Sequence, residues 1–137
     1  MSRIYWDSIL FIYWIEAHPV FGPQTQHLHR TLVARGDKLS TSIFAVGEVL
    51  AGQFQKNDQR LIDLTEKVFD SGLITLIPVT REATRIFAIL RGTTRVAPAD
   101  AIHLSCAAAH GIDTFYTNDK ALTRLKIPGI QSIQPLS

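Results

Sequence analysis

Four of the twelve acidic residues in this chain stand where their carboxylates could act together. Asp7 closes an apolar run (IYWDS), and Glu48 lies inside a segment of helical period (TSIFAVGEVL). Asp100 opens another such segment (PADAIHLSCAAAHG), and Asp119 follows a further apolar run (FYTNDKAL). Taken singly, each has a structural explanation. Asp7 and Asp119 suit the N-cap of a following helix, and Asp100 suits the positive end of a helix dipole, worth ~0.3–1 kcal/mol. Glu48 fits that kind of explanation less well, since Phe44, Val46, Val49, Leu50 and Ala51 surround it with apolar neighbours. Asp100 is the most informative. On a helical wheel Ala99, Ala101, Ile102, Leu104, Cys106, Ala107, Ala108 and Ala109 leave no broad polar face, the mark of a buried helix. A carboxylate at its start either lines a cleft or is buried, and a buried one must be paired or bind a metal. Carboxylates crowded into one cleft repel each other and call for a hard divalent cation with oxygen ligands, Mg²⁺ or Mn²⁺. Such an ion polarises a phosphoryl oxygen and acidifies water, so the chemistry expected is hydrolysis of a phosphodiester.

The elements that must position these acids alternate along the chain. The patterning predicts strands at Arg3–Trp6, Lys38–Ser42, Leu73–Ile77, Asp113–Thr117 and Gln131–Gln134. It predicts helices over Ser8–Ala17, Gln24–Ala34 after a Gly22-Pro23 turn, Phe44–Gln55, and from an Asp58 N-cap to about Asp70. Three more are predicted: Thr80 to about Gly92, Pro98–His110 closed by Gly111, and a short one over Asp119–Leu125. Strands separated by helices argue for an α/β fold, a mostly parallel sheet of about five strands with helices on both faces. In open sheets of this kind ligands bind beyond the carboxyl ends of the strands, where the four acids fall. With 137 residues and no repeat or linker, one domain over residues 1–137 is expected.

The chain resembles the PIN-domain ribonucleases, and within them the VapC-type toxins of toxin–antitoxin pairs. The resemblance runs almost end to end, from IYWDS through GEVL and PADAIHLSCAAAHG to FYTNDKAL. PADAIHLSCA, with the Asp of TND 19 residues after its own, is the most specific part. The resemblance implies that Asp7, Glu48, Asp100 and Asp119 form an acidic metal-binding and catalytic constellation for Mg²⁺ or Mn²⁺. It also implies supporting roles for Ser8, Thr117 and Asn118, an RNA substrate, a cognate antitoxin and a homodimer. Trp6 stands where the family more often has an aliphatic residue, and Ser8 where Thr is also common; neither removes a ligand.

Other residues receive plainer readings. His103 shares a helix face with Asp100 and reads as a satisfied, partly buried histidine. His27 and His29 read as surface, Cys106 as core, and Phe11, Tyr13 and Trp14 as core. Arg81, Arg85, Arg91 and Arg95 cluster with only Glu82 opposing them. The first three share one sector of a helix, with Ala83, Ile86, Phe87, Ile89 and Leu90 on the other side. Arg81 and Arg85 are therefore candidates for contact with an RNA backbone, against the alternative of a solvated face.

Composition narrows the setting. A net charge of +2 is too small for a nucleic-acid-coating tail, and a single cysteine excludes an intramolecular disulfide framework. The apolar run Ile9–Ile15 is far short of the ~20 residues of a membrane span, so a soluble, cytoplasmic protein is expected. The alternative to an enzyme is a non-catalytic RNA- or protein-binding α/β module. A phospho-receiver would want an acid at the end of the third strand, but LITLI ends in Pro78, with no acid before Glu82.

Overall fold

The computed structural model describes residues 1–136. Its elements follow in the order β1 (Arg3–Trp6), α1 (Ser8–Ile15), α2 (Phe21–Arg35), β2 (Lys38–Ser42), α3 (Ile43–Gln55), α4 (Gln59–Asp70) and β3 (Thr75–Ile77). After these come α5 (Arg81–Thr93), α6 (Pro98–His110), β4 (Ile112–Thr117), a 3₁₀ turn (Leu122–Arg124) and β5 (Ile130–Pro135). The five strands form one sheet in the order β3-β2-β1-β4-β5, every pairing parallel. The expected α/β fold, a parallel sheet covered on both faces, is therefore the observed one.

β1 sits at the centre because it is buried on both sides. Tyr5 and Trp6 are fully buried and point to opposite faces, as successive strand residues must. Tyr5 joins Leu90 of α5, Leu104 of α6 and Phe115 of β4 in one core. Trp6 joins Ile4, Leu10 and Phe11 of α1, Leu32 of α2, Val49 of α3, and Leu61 and Phe69 of α4 in the other. β2 (KLSTS) is polar for a buried strand, and its hydroxyls are satisfied locally. Ser40 donates to the Ile4 carbonyl at 2.8 Å and Thr41 to that of Trp6 at 2.7 Å.

The helix ends follow their capping residues. Asp58 accepts from the Leu61 amide at 3.1 Å, and Thr80 from the Ala83 amide at 3.1 Å. Pro98 occupies the first position of α6, and Gly111, at φ 81°, closes it with its amide on the Ala107 carbonyl.

Several boundaries differ from expectation. α1 stops at Ile15, because Ala17 turns into the left-handed region at φ 52°. Gly22-Pro23 is no separate turn; it lies in the first turn of α2, where proline's missing amide costs nothing. β3 begins at Thr75, leaving Leu73 exposed. The helix expected over Asp119–Leu125 is only the 3₁₀ turn, and the Asp119 side chain closes a tight turn ahead of it by accepting from the Ala121 amide at 2.9 Å. His29 is not on the surface but half-buried, its ring 4.5 Å from that of Trp14. Ile89 is exposed rather than turned to the core side of α5. Among the described residues no helix is long and apolar enough to cross a membrane.

Candidate active site at the carboxyl ends of the strands

β1 and β4 pair side by side, Trp6 opposite Tyr116, so the residues that follow each strand emerge together. Asp7 leaves β1 and caps α1, accepting from the Ile9 amide at 3.2 Å through Oδ1. Its other oxygen, Oδ2, accepts from the Thr117 hydroxyl at 2.7 Å. The Thr117 oxygen accepts in turn from the Asp119 amide at 3.1 Å. One buried carboxylate thus ties the end of β1 to the end of β4. Burial pushes its carboxyl up to about 6, against the downward pull of these hydrogen bonds, and the charge of Asp100 adds to the rise.

The other acids arrive from helices and a loop. Glu48 reaches in from the second turn of α3 and Asp100 from the first turn of α6. The Asp100 carboxyl is raised by its partial burial and then by the charges of Asp119 and Glu48. Asp119 itself is exposed at the rim. The four acids line a single open cleft of about 290 Å³, together with Ser8, Ile9, Tyr13, His103, Thr117 and Asn118. No lysine or arginine lines it. Among the described residues no three His, Cys, Asp or Glu side chains converge closely enough to cage an ion alone. Within the cleft Asp7 is held by Thr117 and the Ile9 amide, and Glu48 by His103.

Ser8, Thr117 and Asn118, expected beside the acids, are at the cleft. Asn118 donates to the Tyr13 hydroxyl at 2.8 Å. Arg81 and Arg85 are not in the lining. They are exposed at the start of α5, beyond the carboxyl end of β3, and Arg81 donates to the Thr84 hydroxyl at 3.0 Å. β3, the strand that α5 follows, is two strands from β1, roughly 10 Å at ~4.8 Å per strand.

One cleft residue, Tyr13, departs from expectation. The sequence places it in the core with Phe11 and Trp14; Phe11 is fully buried, but Tyr13 lines the cleft. The available signal was its spacing of four from Ile9, which puts both on one face of the helix that Asp7 caps. His103 is satisfied, as expected, yet its partners are Tyr5 at 2.6 Å and Glu48 at 2.5 Å. No spacing along the chain announces those contacts.

Solved structures share this architecture. VapBC2 from Rickettsia felis, bound to a DNA fragment from their promoter, superposes with a TM-score of 0.77 at 17% identity, over 97% of this chain and 98% of that one. VapC20 from Mycobacterium tuberculosis, a sarcin–ricin loop cleaving toxin, gives 0.70 at 16% identity, over 85% and 90%. A toxin–antitoxin complex from Klebsiella pneumoniae gives 0.68 at 18% identity, over 93% and 94%. At these identities the likeness is one of fold. Comparison with curated protein sequences finds no match. The family model of the PIN domain matches residues 4–128, a span that includes all four acids and every strand but the last, and the chain belongs to the PIN domain family.

Proposed function

We propose that this chain is a metal-dependent endoribonuclease and the toxin of a toxin–antitoxin pair, working in the cytoplasm. The observation that carries the reading is the cleft itself, lined by Asp7, Glu48, Asp100 and Asp119 with no lysine or arginine among them. Its donors fit Mg²⁺ or Mn²⁺ in kind, all hard carboxylate oxygens. They also fit in number, because Mg²⁺ is held by one or two carboxylates, waters and substrate phosphates rather than by an all-protein cage. Asp7 and Asp100 would hold the ion, with Glu48 and Asp119 completing the set directly or through water. When bound, it supplies positive charge at a phosphoryl oxygen and lowers the pKa of water.

The chain's own residues do the rest. Thr117 and the Ile9 amide keep the Asp7 carboxylate turned into the cleft. Ser8 and Asn118 stand where a ligand or water can be oriented, Asn118 braced by Tyr13. Arg81 and Arg85, exposed at the same end of the sheet, would hold the RNA backbone to one side. Supporting the partner assignment, structures of the same fold are described as VapBC pairs and a toxin–antitoxin complex. A small antitoxin would close the acidic cleft with an arginine through bidentate, charge-assisted hydrogen bonds, and the toxin would be a homodimer.

The test is incubation of the pure protein with total RNA in Mg²⁺, Mn²⁺ or EDTA, beside Asp7→Asn. Discrete cleavage that needs both metal and Asp7 is the expected outcome. RNA binding with no cleavage in any metal would make the chain a binding module instead.

A further inference from the structure

Beside the acidic cleft, the corner between α1 and α2 is held rigidly. Ala17 sits in the left-handed region at φ 52°, which costs a residue with a side chain. The His18 amide donates to the Tyr13 carbonyl at 2.9 Å, and the His18 carbonyl accepts the Gly22 amide at 2.9 Å. His18 Nδ1 accepts from the Val20 and Phe21 amides, both at 3.1 Å, satisfying a free amide at the start of α2. Three rings meet at this corner. Tyr13 and Phe21 stack with centroids 4.8 Å apart, His18 and Phe21 stack at 5.1 Å, and His18 tilts against Tyr13 at 5.0 Å.

Tyr13 lines the cleft, whereas His18 lines a neighbouring cavity of about 400 Å³, in the ~300–1,000 Å³ range of small-molecule sites. The cavity walls include Trp14, Pro19 and Pro23, and no Asp, Glu, Lys or Arg side chain. Trp14 is braced by His29, whose ring is 4.5 Å away, and edge-on by Trp6 at 5.8 Å. These are flat faces that lose little freedom when another ring lies against them. Gln26 completes the lining. Its amide and His18 Nε2 make no hydrogen bond among the described residues, which leaves both for a polar edge.

A neutral cavity of rings and amide groups beside a cleft of carboxylates suits the neutral part of a nucleotide. Phosphates call for metal and arginine. A base calls for a π-face to stack on and a partner for its edge, which is how unpaired RNA bases are held. The placement agrees. α5, with Arg81 and Arg85, packs on the Tyr5 side of the sheet, and α1 and α2 pack on the Trp6 side. RNA held by α5 and crossing the cleft therefore meets the α1–α2 corner next.

We propose that this cavity seats one unpaired base of the RNA substrate, near the phosphate cut in the cleft, with Trp14 and His18 as stacking faces and Gln26 at the base edge. These residues position and select substrate and take no part in bond breaking. The proposal deepens the nuclease reading and rests on it for the RNA; the base site itself stands on the cavity.

The test uses the full chain with adenosine or uridine, which carry a base and no phosphate. The chain has two tryptophans, and Trp6 is fully buried. In ¹H–¹⁵N spectra either nucleoside should shift the Trp14 indole N–H saturably and leave that of Trp6 in place. A second measurement compares a short single-stranded RNA of random sequence with its abasic counterpart, both binding to an Asp100→Asn background so that neither is cut. His18→Asn keeps an acceptor for the Val20 and Phe21 amides while removing the ring, and Gln26→Ala alters an exposed residue. His18→Asn should weaken binding of the intact RNA by about tenfold, Gln26→Ala by less, and neither should change binding of the abasic strand. A Trp14 signal indifferent to both nucleosides, or equal loss of the intact and abasic strands, would overturn the inference. So would a cavity that takes N-acetyl-leucine amide but no nucleoside, since it would then belong to a protein side chain. If nucleosides fill the cavity but wild type cuts no RNA in Mg²⁺ or Mn²⁺, the base site stands and the nuclease function is what falls.

Discussion

Asp7 combines burial, a capping hydrogen bond and a strand-to-strand tie in one side chain, and its titration follows from that crowding. Its folded pKa, about 6, lies above the ordinary carboxylate value, so the folded protein disfavours the ionised form. The stability it contributes is complete below about pH 4 and is lost as pH rises toward 6. Asp7→Asn does not titrate. In EDTA, urea denaturation should therefore find the variant gaining on wild type between pH 4 and 6 and level above that, by at most on the order of 2–3 kcal/mol. A difference independent of pH would mean that Asp7 is ionised throughout. Asp100→Asn should abolish cleavage and leave apo stability unchanged or slightly higher, since it removes one of several charges that repel each other. Mn²⁺ should raise the melting temperature of wild type and raise that of the variant less, because the ion binds the folded cleft. Strong destabilisation of Asp100→Asn in EDTA, with wild type blind to Mn²⁺, would make Asp100 a helix cap. At this scale Asp100 was legible because its helix has no polar face to excuse it. The Glu48–His103 bond was not, because it joins positions 55 apart that only the packing of α3 on α6 brings together.

Elements whose ends carry strong local chemistry were read closely from the sequence. Asp58 and Thr80 cap α4 and α5, and Pro98 and Gly111 bracket α6, each where its side chain or backbone freedom demands. Misreadings arose where one residue type serves two structures. Gly22-Pro23 suits a turn or a first helical turn; here it lies in the helix, with Gly22 against the Ala17 backbone, where a side chain would crowd. Asp119 suits a helix cap or a tight turn, and here makes the turn. The Thr80 cap allows a direct measurement. Thr80→Ala should cost about 1 kcal/mol in chemical denaturation by freeing the Ala83 amide. Arg81 and Arg85 ride on the turn that Thr80 caps. Replacing both by Ala should flatten the salt dependence of RNA binding by up to about two phosphate contacts and leave the cleavage pattern intact. An unchanged salt slope would return them to a solvated face.

Across the whole molecule, α/β alternation predicted the sheet and its two covered faces, but strand order depends on which crossovers pack and has no local signature. The joint between α6 and β5 is correspondingly tight. Gly129 sits at φ 101°, and a side-chain carbon there would strike the Ala108 carbonyl. Its own carbonyl accepts the Ile112 amide at 2.9 Å. Gly129→Ala should therefore destabilise by roughly 3 kcal/mol or more, seen as a lowered thermal midpoint. A midpoint near that of wild type would show that this joint can yield. The tie between β1 and β4 reaches further than stability. Asp7 and Thr117 are 110 residues apart in the chain, yet each completes the other's surroundings. A growing chain adds ~5–20 residues per second, so Asp7 is made several seconds before the hydroxyl that orients it exists. Until β4 slides in beside β1, the first strand has one neighbour instead of two and the four acids have no common cleft. Chains broken before residue 117 thus lack the cleft, and whatever it does must wait until β4 has been made and has docked.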